Sequence, residues 1–200
     1  MTNSNDVLGG RVVDEFLVMR CQTGDRDALS ALVTKWQPPF LRYASVMTRD
    51  TDVAKDVMQE SWIKIIRALP KLRDPLKFPA WAFRIINNQC LDVLRRVKNF
   101  DEVGDVVDHR DMSQLETHEQ VWWVLEQLSP DHRAVLALHY LQDFEVKEIA
   151  GILRKPQGTI KSRLHNGREK FRQIFEAQAS EDNDHERPRC KDSPSLARSY

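Results

Sequence analysis

The chain has 200 residues, with 30 Lys and Arg balanced by 30 Asp and Glu. That length allows one or two domains, and the zero net charge argues against a uniformly basic nucleic-acid binder. The three cysteines, Cys21, Cys90 and Cys190, are too widely spaced for a disulfide framework or a metal site. No apolar run approaches the roughly 20 residues of a membrane span, and the N-terminus lacks a signal-peptide pattern. These features predict a reduced cytoplasmic protein without a membrane span.

The composition favours helices, because Gly and Pro are sparse and good helix formers are abundant. We predict an all-α fold of two small helical domains, at residues 12–98 and 118–176. Residues 1–11 are polar and predicted to be disordered, as is the mixed-charge tail at 177–200. Residues 99–117 form the predicted acidic linker, since residues 99–119 hold seven acids and one Arg.

Helical periodicity in the first domain assigns a set of apolar side chains to the core, including Val13, Phe16, Leu17, Leu32 and Trp36. Pro38-Pro39 is expected to kink or interrupt the second helix. In the second domain, Trp122 and Trp123 cannot both point inward, so one of the two indoles is predicted to be exposed.

A helix is predicted from Asp52 to Leu69, where Pro70 ends it. Its polar face carries Asp56, Gln59 and Glu60 around Ile63. An apolar side chain ringed by polar groups is common in protein-docking surfaces. A single exposed Ile also needs no explanation, and from the residues alone we favour that interpretation.

The next helix is predicted from Ala80 to about Val97, and its polar stripe is unusual. The stripe holds Trp81, Arg84, Asn88, Asp92 and Arg95, and Arg96 extends its basic end. Aromatic rings stack on unpaired bases at about 1–3 kcal/mol per base, while arginines hold the backbone. The stripe therefore predicts single-strand binding. In the alternative, Trp81 packs on a neighbouring helix and Arg84 pairs with Asp92.

The stretch from Glu145 to Phe175 is predicted to form two helices joined by a tight turn. A short helix spans Val146 to Leu153, a turn follows, and a second helix begins at Gly158. The exposed side of this second helix is small and polar in its centre and cationic at its edges, with Gly158, Thr159, Lys161, Ser162, Arg163, His165, Asn166 and Arg168. A helix in the major groove needs that layout. A solvated amphipathic helix is the alternative, and the preceding short helix favours helix-turn-helix.

Two separate stretches resemble regions of the extracytoplasmic-function (ECF) sigma factors of bacterial RNA polymerase. Their region 2 is similar to DVAKDVMQESWIKIIRAL followed by FPAWAFRIINNQCLDVLRR, and their region 4 to LSPDHRAVLALHYLQDFEVKEIAGILRKPQGTIKSRLHNGREKF. The resemblance assigns Asp56, Gln59 and Glu60, with Ile63, to the helix that docks on core polymerase. It assigns the Trp81–Arg96 motif to the −10 element and GTIKSRL to the −35 element.

The resemblance implies an alternative sigma factor, which is not an enzyme and needs no cofactor or metal. It implies that core RNA polymerase and promoter DNA are partners, together with an anti-sigma factor. The first domain would hold the melted −10 strand, and Lys71, Arg73 and Lys77 in the preceding loop would contact phosphates. The second domain would place Gly158–Arg168 in the −35 duplex. The acidic linker would thread through the active-site cleft of the polymerase.

The chain departs from the family pattern at the turn before the last helix and within that helix. Arg154 and Lys155 stand where the family usually has Gly and an apolar residue, and Gly167 stands where Ala is common. Two other functions remain open. A helix-turn-helix regulator acting without polymerase would give the Asp56 face no role. A decoy that only binds an anti-sigma factor would be expected to lose cations such as Arg95 and Lys161.

Overall fold

The structure is a computed structural model that describes residues 4–100 and 117–185. Within these ranges the chain forms eight α-helices and no strand, which confirms the all-α prediction: α1 (Ser4–Gln22), α2 (Arg26–Thr48), α3 (Thr51–Ala68), α4 (Phe78–Phe100), α5 (Thr117–Gln127), α6 (Pro130–Leu136), α7 (Val146–Leu153) and α8 (Gln157–His185). Short 3₁₀ turns at Leu69–Lys71 and Pro75–Lys77 join α3 to α4, and α6 continues as a π-turn at Ala137–Leu141. We call α1–α4 the N-terminal unit and α5–α8 the C-terminal unit.

Two helices extend past the predicted domain boundaries, and most of the predicted linker is not described. The first helix begins at Ser4, inside the segment predicted to be disordered, and α8 runs to His185, beyond the predicted end at 176. Polar composition alone could not place these ends, because a helix that is already nucleated extends at little cost into polar sequence. The acidic linker falls largely on residues 101–116, which lie outside the described residues.

The second helix continues through both prolines, so the predicted interruption is wrong. Each proline removes one helical N–H and crowds the preceding turn, yet α2 is helical from Arg26 to Thr48. Its second half holds the fully buried Phe40, Tyr43 and Met47. Burying side chains of that size stabilises the helix by several kcal/mol in total, which outweighs the cost of the prolines.

The outer side of α1 also differs from the prediction. Val13 and Phe16 are 50% and 59% exposed, whereas Asp14 is 3% exposed. The Asp14 carboxylate lies 2.6 Å from the ammonium of Lys35 and accepts a hydrogen bond from the Trp36 indole at 3.0 Å. The face of α1 that carries this paired carboxylate therefore packs against α2. Apolar periodicity could not reveal this orientation of α1.

In the C-terminal unit, Trp122 and Trp123 both find cover, so the predicted exposed indole is wrong. Trp123 is 7% exposed and packs with Val124 near Phe171 and Ile174 of α8. Trp122 is half-buried and packs on the main core. Because α5 lies between α2 and α8, side chains on two sides of this helix pack against other helices. No helix in the described part of the chain is long and apolar enough to cross a membrane.

The two units pack directly against each other. The fifth and sixth helices contact α2, and α7 contacts α4. One continuous set of buried side chains runs from Val18 in α1 to Leu164 in α8. Phe83 of α4 meets Phe144, just before α7, edge to face with ring centroids 5.2 Å apart. The packing of the units fixes how the candidate surfaces described next are presented.

Candidate nucleic-acid and protein-binding surfaces

The outer face of α3 presents all four residues predicted to dock on a partner. Asp56, Gln59 and Glu60 are exposed, and Ile63 is 39% exposed. The opposite face is anchored in the core by Val57, Met58, Trp62 and Ile65, among others. The side chain of Asp50 caps the helix by accepting hydrogen bonds from the N–H groups of Asp52 and Val53 at 2.8 and 3.0 Å. The surface is therefore held on a well-anchored helix.

One further residue belongs to this surface and was missed from sequence. Ile66 lies one turn beyond Ile63 and is 41% exposed. Two aliphatic side chains at i and i+3 share a helix face, so Ile63 is not a lone exposed apolar residue. The i, i+3 spacing was visible in the sequence, although the predicted surface included only Ile63. We call Asp56, Gln59, Glu60, Ile63 and Ile66 the α3 surface.

On α4, the predicted basic stripe is accessible over most of its length. Asn88, Arg95 and Arg96 are exposed, whereas Trp81 and Arg84 are half-buried. The Trp81 ring lies 6.1 Å from the ring of Phe78, tilted by 44°. Asp92 pairs with Arg95 at 3.1 Å, an exposed contact one turn along. Asp92 therefore pairs with Arg95 and not with Arg84, as the alternative had predicted.

The loop before α4 brings its cations to the same end as Trp81. Lys71, Arg73 and Lys77 are all exposed, and Lys77 pairs with Asp74 at 2.7 Å. A hydrogen bond from Lys77 lowers the pKa of the Asp74 carboxyl below its usual value. Lys77 is therefore partly neutralised in the free chain. Lys71 and Arg73 have no ion pair among the described residues and carry the uncompensated charge of this loop.

The loop is tied to α1 by a residue that the sequence did not single out. The Gln22 amide donates hydrogen bonds to the carbonyls of Leu69 and Leu72 at 3.1 and 2.8 Å. The fourth helix is itself set on α2 by a buried hydrogen bond, in which the Tyr43 hydroxyl donates to Asn87 Oδ1 at 2.8 Å. We call Trp81, Arg84, Asn88, Arg95 and Arg96, with the loop cations, the α4 surface.

In the C-terminal unit, α7 and α8 form the predicted helix-turn-helix. Glu145 and Glu148 make a capping box at the start of α7, with the Glu145 N–H donating to Glu148 Oε2 at 3.0 Å. At its end Arg154 adopts the left-handed conformation, φ 52° and ψ 47°. Glycine takes this conformation most easily, as expected for a residue standing where the family usually has Gly. The Lys155 N–H then donates to the Ala150 carbonyl at 3.1 Å, which closes the turn.

The exposed face of α8 keeps most of the predicted layout. Gly158, Lys161, Ser162, His165, Asn166 and Arg168 are exposed, and Thr159 is half-buried. Ile160 and Leu164 are buried on the opposite side, next to Gly167. A Cβ on Gly167 would lie 3.4 Å from Leu136 and 3.5 Å from His132, so this glycine marks the crossing of α8 and α6. We call the predicted residues of α8 the α8 surface.

Arg163 is the α8 residue whose surroundings differ most from the predicted ones. Its guanidinium pairs with Asp131 of α6 at 2.5 Å, and its side chain is only 21% exposed. It lies on the edge where α8 packs on α6, beside Gly167. On the other edge, Arg168 stacks over the Tyr140 ring, 5.5 Å from its centroid. Arg163 therefore joins two helices, and the exposed cations of this surface are Lys161 and Arg168.

The charge of the chain is distributed unevenly despite its zero sum. From Arg154 to Arg172 there are seven Lys and Arg against one acid, Glu169. Glu169 pairs with Arg172 at 2.7 Å, at the far end of the exposed face. The turn and first half of α8 are therefore cationic. A duplex would be attracted to that end of the unit, because the phosphate backbone dominates affinity.

Comparison with known proteins identifies both units. Residues 32–100 match sigma-70 region 2, and residues 118–171 match sigma-70 region 4. The RNA polymerase sigma-H factor of Pseudomonas aeruginosa is 32% identical over 174 residues, which cover 78% of this chain and 90% of that protein. The ECF RNA polymerase sigma-E factor of Escherichia coli is 31% identical over 177 residues, covering 80% and 92%.

Two solved structures share the fold over both units. CnrH, in complex with the cytosolic domain of CnrY, superposes with a TM-score of 0.65 at 23% identity, covering 82% of this chain and 98% of that one. The sigma factor RpoE from Bartonella quintana, in complex with the anti-sigma factor NepR, gives a TM-score of 0.60 at 21% identity, covering 74% and 96%.

Proposed function

Because the chain belongs to the extracytoplasmic-function branch of the sigma-70 family, we propose that its α3, α4 and α8 surfaces divide the work of promoter recognition. The chain is an alternative sigma factor that binds core RNA polymerase and directs promoter-specific transcription initiation. Its site of action is the cytoplasm, where polymerase and promoter meet. We assign each step to particular residues, and the geometry of the three surfaces supports each assignment.

The α3 surface docks on core polymerase. Its two isoleucines supply an apolar centre, and Asp56, Gln59 and Glu60 supply the polar rim. Neither Asp56 nor Glu60 has an ion-pair partner among the described residues, so both carboxylates are available to basic groups of a partner. An apolar centre with a charged rim is the usual anatomy of a protein interface.

The α4 surface holds the melted strand of the −10 element. Trp81 offers a ring on which an unpaired base can stack, and Arg84 and Asn88 follow on the same side of the helix. Stacking contributes about 1–3 kcal/mol per base, which offsets the few kcal/mol needed to extrude one. Lys71 and Arg73 lie before the helix and contact the phosphates of that strand.

The α8 surface reads the −35 duplex. Ser162, His165 and Asn166 are compact hydrogen-bonding side chains at the centre of the exposed face, where base edges would lie. Lys161 and Arg168 lie at its edge, where phosphates would lie. The single observation that supports this function best is that the helix-turn-helix leaves the polar face of α8 exposed to solvent.

Run-off transcription with purified core polymerase tests this function. A promoter library is selected for DNA bound by the chain together with core, and specific transcripts are then measured with and without the chain. We expect transcripts only when the chain is present. Core binding without any specific transcript would favour the decoy hypothesis, and duplex binding that never requires core would favour the stand-alone regulator.

Charge reversal at Glu60 tests the docking surface separately. Glu60→Lys is expected to weaken core binding by about 1–3 kcal/mol, because it puts a like charge opposite the basic groups that the carboxylate would meet. Asp27→Lys makes the same reversal on α2, where Asp27 is also exposed, and is expected to have little effect. If both variants keep wild-type helix content and bind core polymerase equally well in a titration, the α3 surface does not dock on core polymerase.

We also propose that an anti-sigma factor binds this chain. Of the two solved proteins of similar fold, the sigma factor RpoE is in complex with the anti-sigma factor NepR, and CnrH is in complex with the cytosolic domain of CnrY. Co-expression with the product of the neighbouring gene, followed by a transcription assay, tests this partner. A candidate that co-purifies with the chain but leaves its transcription unchanged would not be an anti-sigma factor.

A further inference from the structure

The outer face of α1 carries four apolar side chains that the proposed function does not use. Val12, Val13, Phe16 and Met19 are between 50% and 60% exposed. Single exposed apolar residues are normal on a protein surface, but the spacing of these four puts them together on one side of the helix. We call them the α1 stripe. A contiguous apolar face of this kind marks a surface that another molecule covers.

The inner face of α1 fixes the stripe in its outward orientation. Val18 is 0% exposed and belongs to the core. The Asp14 carboxylate pairs with Lys35 of α2 at 2.6 Å, and the Gln22 amide donates to carbonyls of the loop before α4. Rotation of the helix to bury the stripe would break these contacts. The stripe is therefore available to a second molecule.

Three members of the stripe have the spacing of a seam between two helices. Val12, Phe16 and Met19 are four and three residues apart, which is the alternation of positions d, a and d in a coiled-coil heptad. In this frame Glu15 is at position g and Arg20 is at position e, on opposite edges of the seam. The helix can therefore pack on another helix over roughly two turns.

The charges at the two edges make this face complementary to a copy of itself. In a parallel pair of helices, position g of one chain lies beside the position e that follows five residues later in the other chain. Glu15 then faces Arg20 of the second copy, and symmetry repeats the pair on the other edge. An antiparallel pair would instead bring edges of equal charge together. The charges thus select both the partner and the direction of the helices.

Arg20 is already held at the edge of the stripe in the single chain. Its Nε donates to Asp25 Oδ2 at 2.8 Å, and its guanidinium lies over the Phe16 ring, 5.6 Å from the centroid. A guanidinium has five N–H donors, so the pairing with Asp25 leaves donors for a second carboxylate. The cation therefore needs little rearrangement to meet a carboxylate across the seam.

We propose that two copies of this chain associate through the α1 stripe, as a parallel helix pair flanked by ion pairs between Glu15 and Arg20. None of the three surfaces of the proposed function includes this stripe, so the association does not depend on that function. A standard interface buries about 800 Å² per partner, and four half-exposed side chains supply roughly half of that. The dimer is therefore weak, with a dissociation constant of roughly 10–100 μM.

Sedimentation equilibrium of the full chain tests the association. We expect the mass to rise from 23.3 kDa toward twice that value as the concentration is raised to about 1 mM. Phe16→Ser changes an exposed residue at the centre of the seam and is expected to raise the dissociation constant at least about tenfold. Tyr140→Ser is the control, because it removes a ring of similar exposure, 55%, from the C-terminal unit.

Two outcomes of this experiment would overturn the proposal. One is a wild-type chain that stays monomeric over the whole range, which would assign the stripe to a different protein. The other is a Phe16→Ser chain that dimerises as well as wild type, which would place the dimer contact elsewhere on the molecule.

Exchange of the two edge charges tests the parallel register. Glu15→Arg and Arg20→Glu each put like charges across the seam, and each is expected to raise the dissociation constant about threefold to tenfold. The chain with both changes again has opposite charges across the seam and is expected to return to within about twofold of wild type. A double variant with wild-type helix content that dimerises no better than the single variants would contradict the proposed pairing.

A disulfide reports the same arrangement directly. Met19 faces Met19 of the second copy in a parallel pair, so Met19→Cys should form a covalent dimer on mild oxidation. The background is Cys21→Ser, Cys190→Ser, which leaves only the buried Cys90. Thr34→Cys, at an exposed position on α2, is the control and should stay monomeric. No covalent dimer from Met19→Cys, or equal amounts from both variants, would overturn the proposal.

Discussion

Arg154 adopts a strained backbone conformation in the turn of the helix-turn-helix. Its φ of 52° lies in the left-handed region, which costs an L-residue about 1–2 kcal/mol relative to the right-handed form but costs glycine little. We therefore expect Arg154→Gly to raise the free energy of unfolding by about 1 kcal/mol, measured by urea denaturation. Arg154→Ala is the control, since it removes the same charge without relieving the backbone. Equal gains in both variants would attribute the effect to charge.

Arg163 and Lys161 are neighbours on α8 with different expected roles. Arg163 is tethered to Asp131, so we expect Arg163→Ala to lower the free energy of unfolding by about 0.5–1 kcal/mol and to leave base preference unchanged. Lys161 is exposed, so Lys161→Ala should weaken binding to every duplex and make the salt dependence shallower by about 0.9. Fluorescence anisotropy with selected and scrambled −35 duplexes measures both. If Arg163→Ala instead loses its preference at one base pair, Arg163 contacts a base edge in the complex.

At the scale of the element, α3 separates a folding face from a binding face within two residues. Ile65 is fully buried and Ile66 is 41% exposed. We expect Ile66→Ala to weaken core polymerase binding by about 1–2 kcal/mol with little change in stability. Ile65→Ala should instead lower the free energy of unfolding by about 2–5 kcal/mol. A binding titration and a melting curve for each variant distinguish these effects, and wild-type affinity in Ile66→Ala would limit the surface to Ile63 and its polar rim.

The elements were largely readable from the sequence because their signals are local. Periodicity, prolines and capping residues predicted α3 closely and placed α7 at Val146–Leu153. The exposed faces of α3 and α8 also followed from spacing, because a helix presents every third or fourth residue on one side. Where those signals conflict with tertiary contacts, they fail. The orientation of α1 depends on the pairing of Asp14 with Lys35, which no wheel reveals.

Contacts between elements far apart in sequence were not readable. Asn87 is polar yet 3% exposed, because the Tyr43 hydroxyl bonds to it across the core. Arg133 would be expected in solvent from its charge, yet it bonds to carbonyls at the end of α2. Likewise, the sequence indicates that Arg163 is cationic and accessible, but its pairing with Asp131 depends on how α6 crosses α8. In each case the deciding partner lies outside the helix that carries the pattern.

For the molecule as a whole, the shared core makes the two units mechanically dependent on each other. Buried side chains of α2 and α4 touch those of α5, α6 and α7 without a break. A contact of this kind couples the unfolding of one unit to that of the other, because separation exposes apolar surface from both. A substitution that destabilises the core of one unit is therefore expected to lower the stability of the other unit as well.

This coupling predicts one cooperative unfolding transition for the free chain. Burial raises the pKa of the Cys90 thiol to about 12, so near pH 8 it stays protonated and reacts with alkylating reagents only after the N-terminal unit unfolds. Amide hydrogen exchange in α7 reports on the C-terminal unit, and circular dichroism reports on both. With Cys21 and Cys190 replaced by Ser, we expect the three probes to give the same urea midpoint. Arg133→Ala should separate the thiol midpoint from the α7 midpoint, whereas separate midpoints in the wild-type chain would show that the core is not shared in solution.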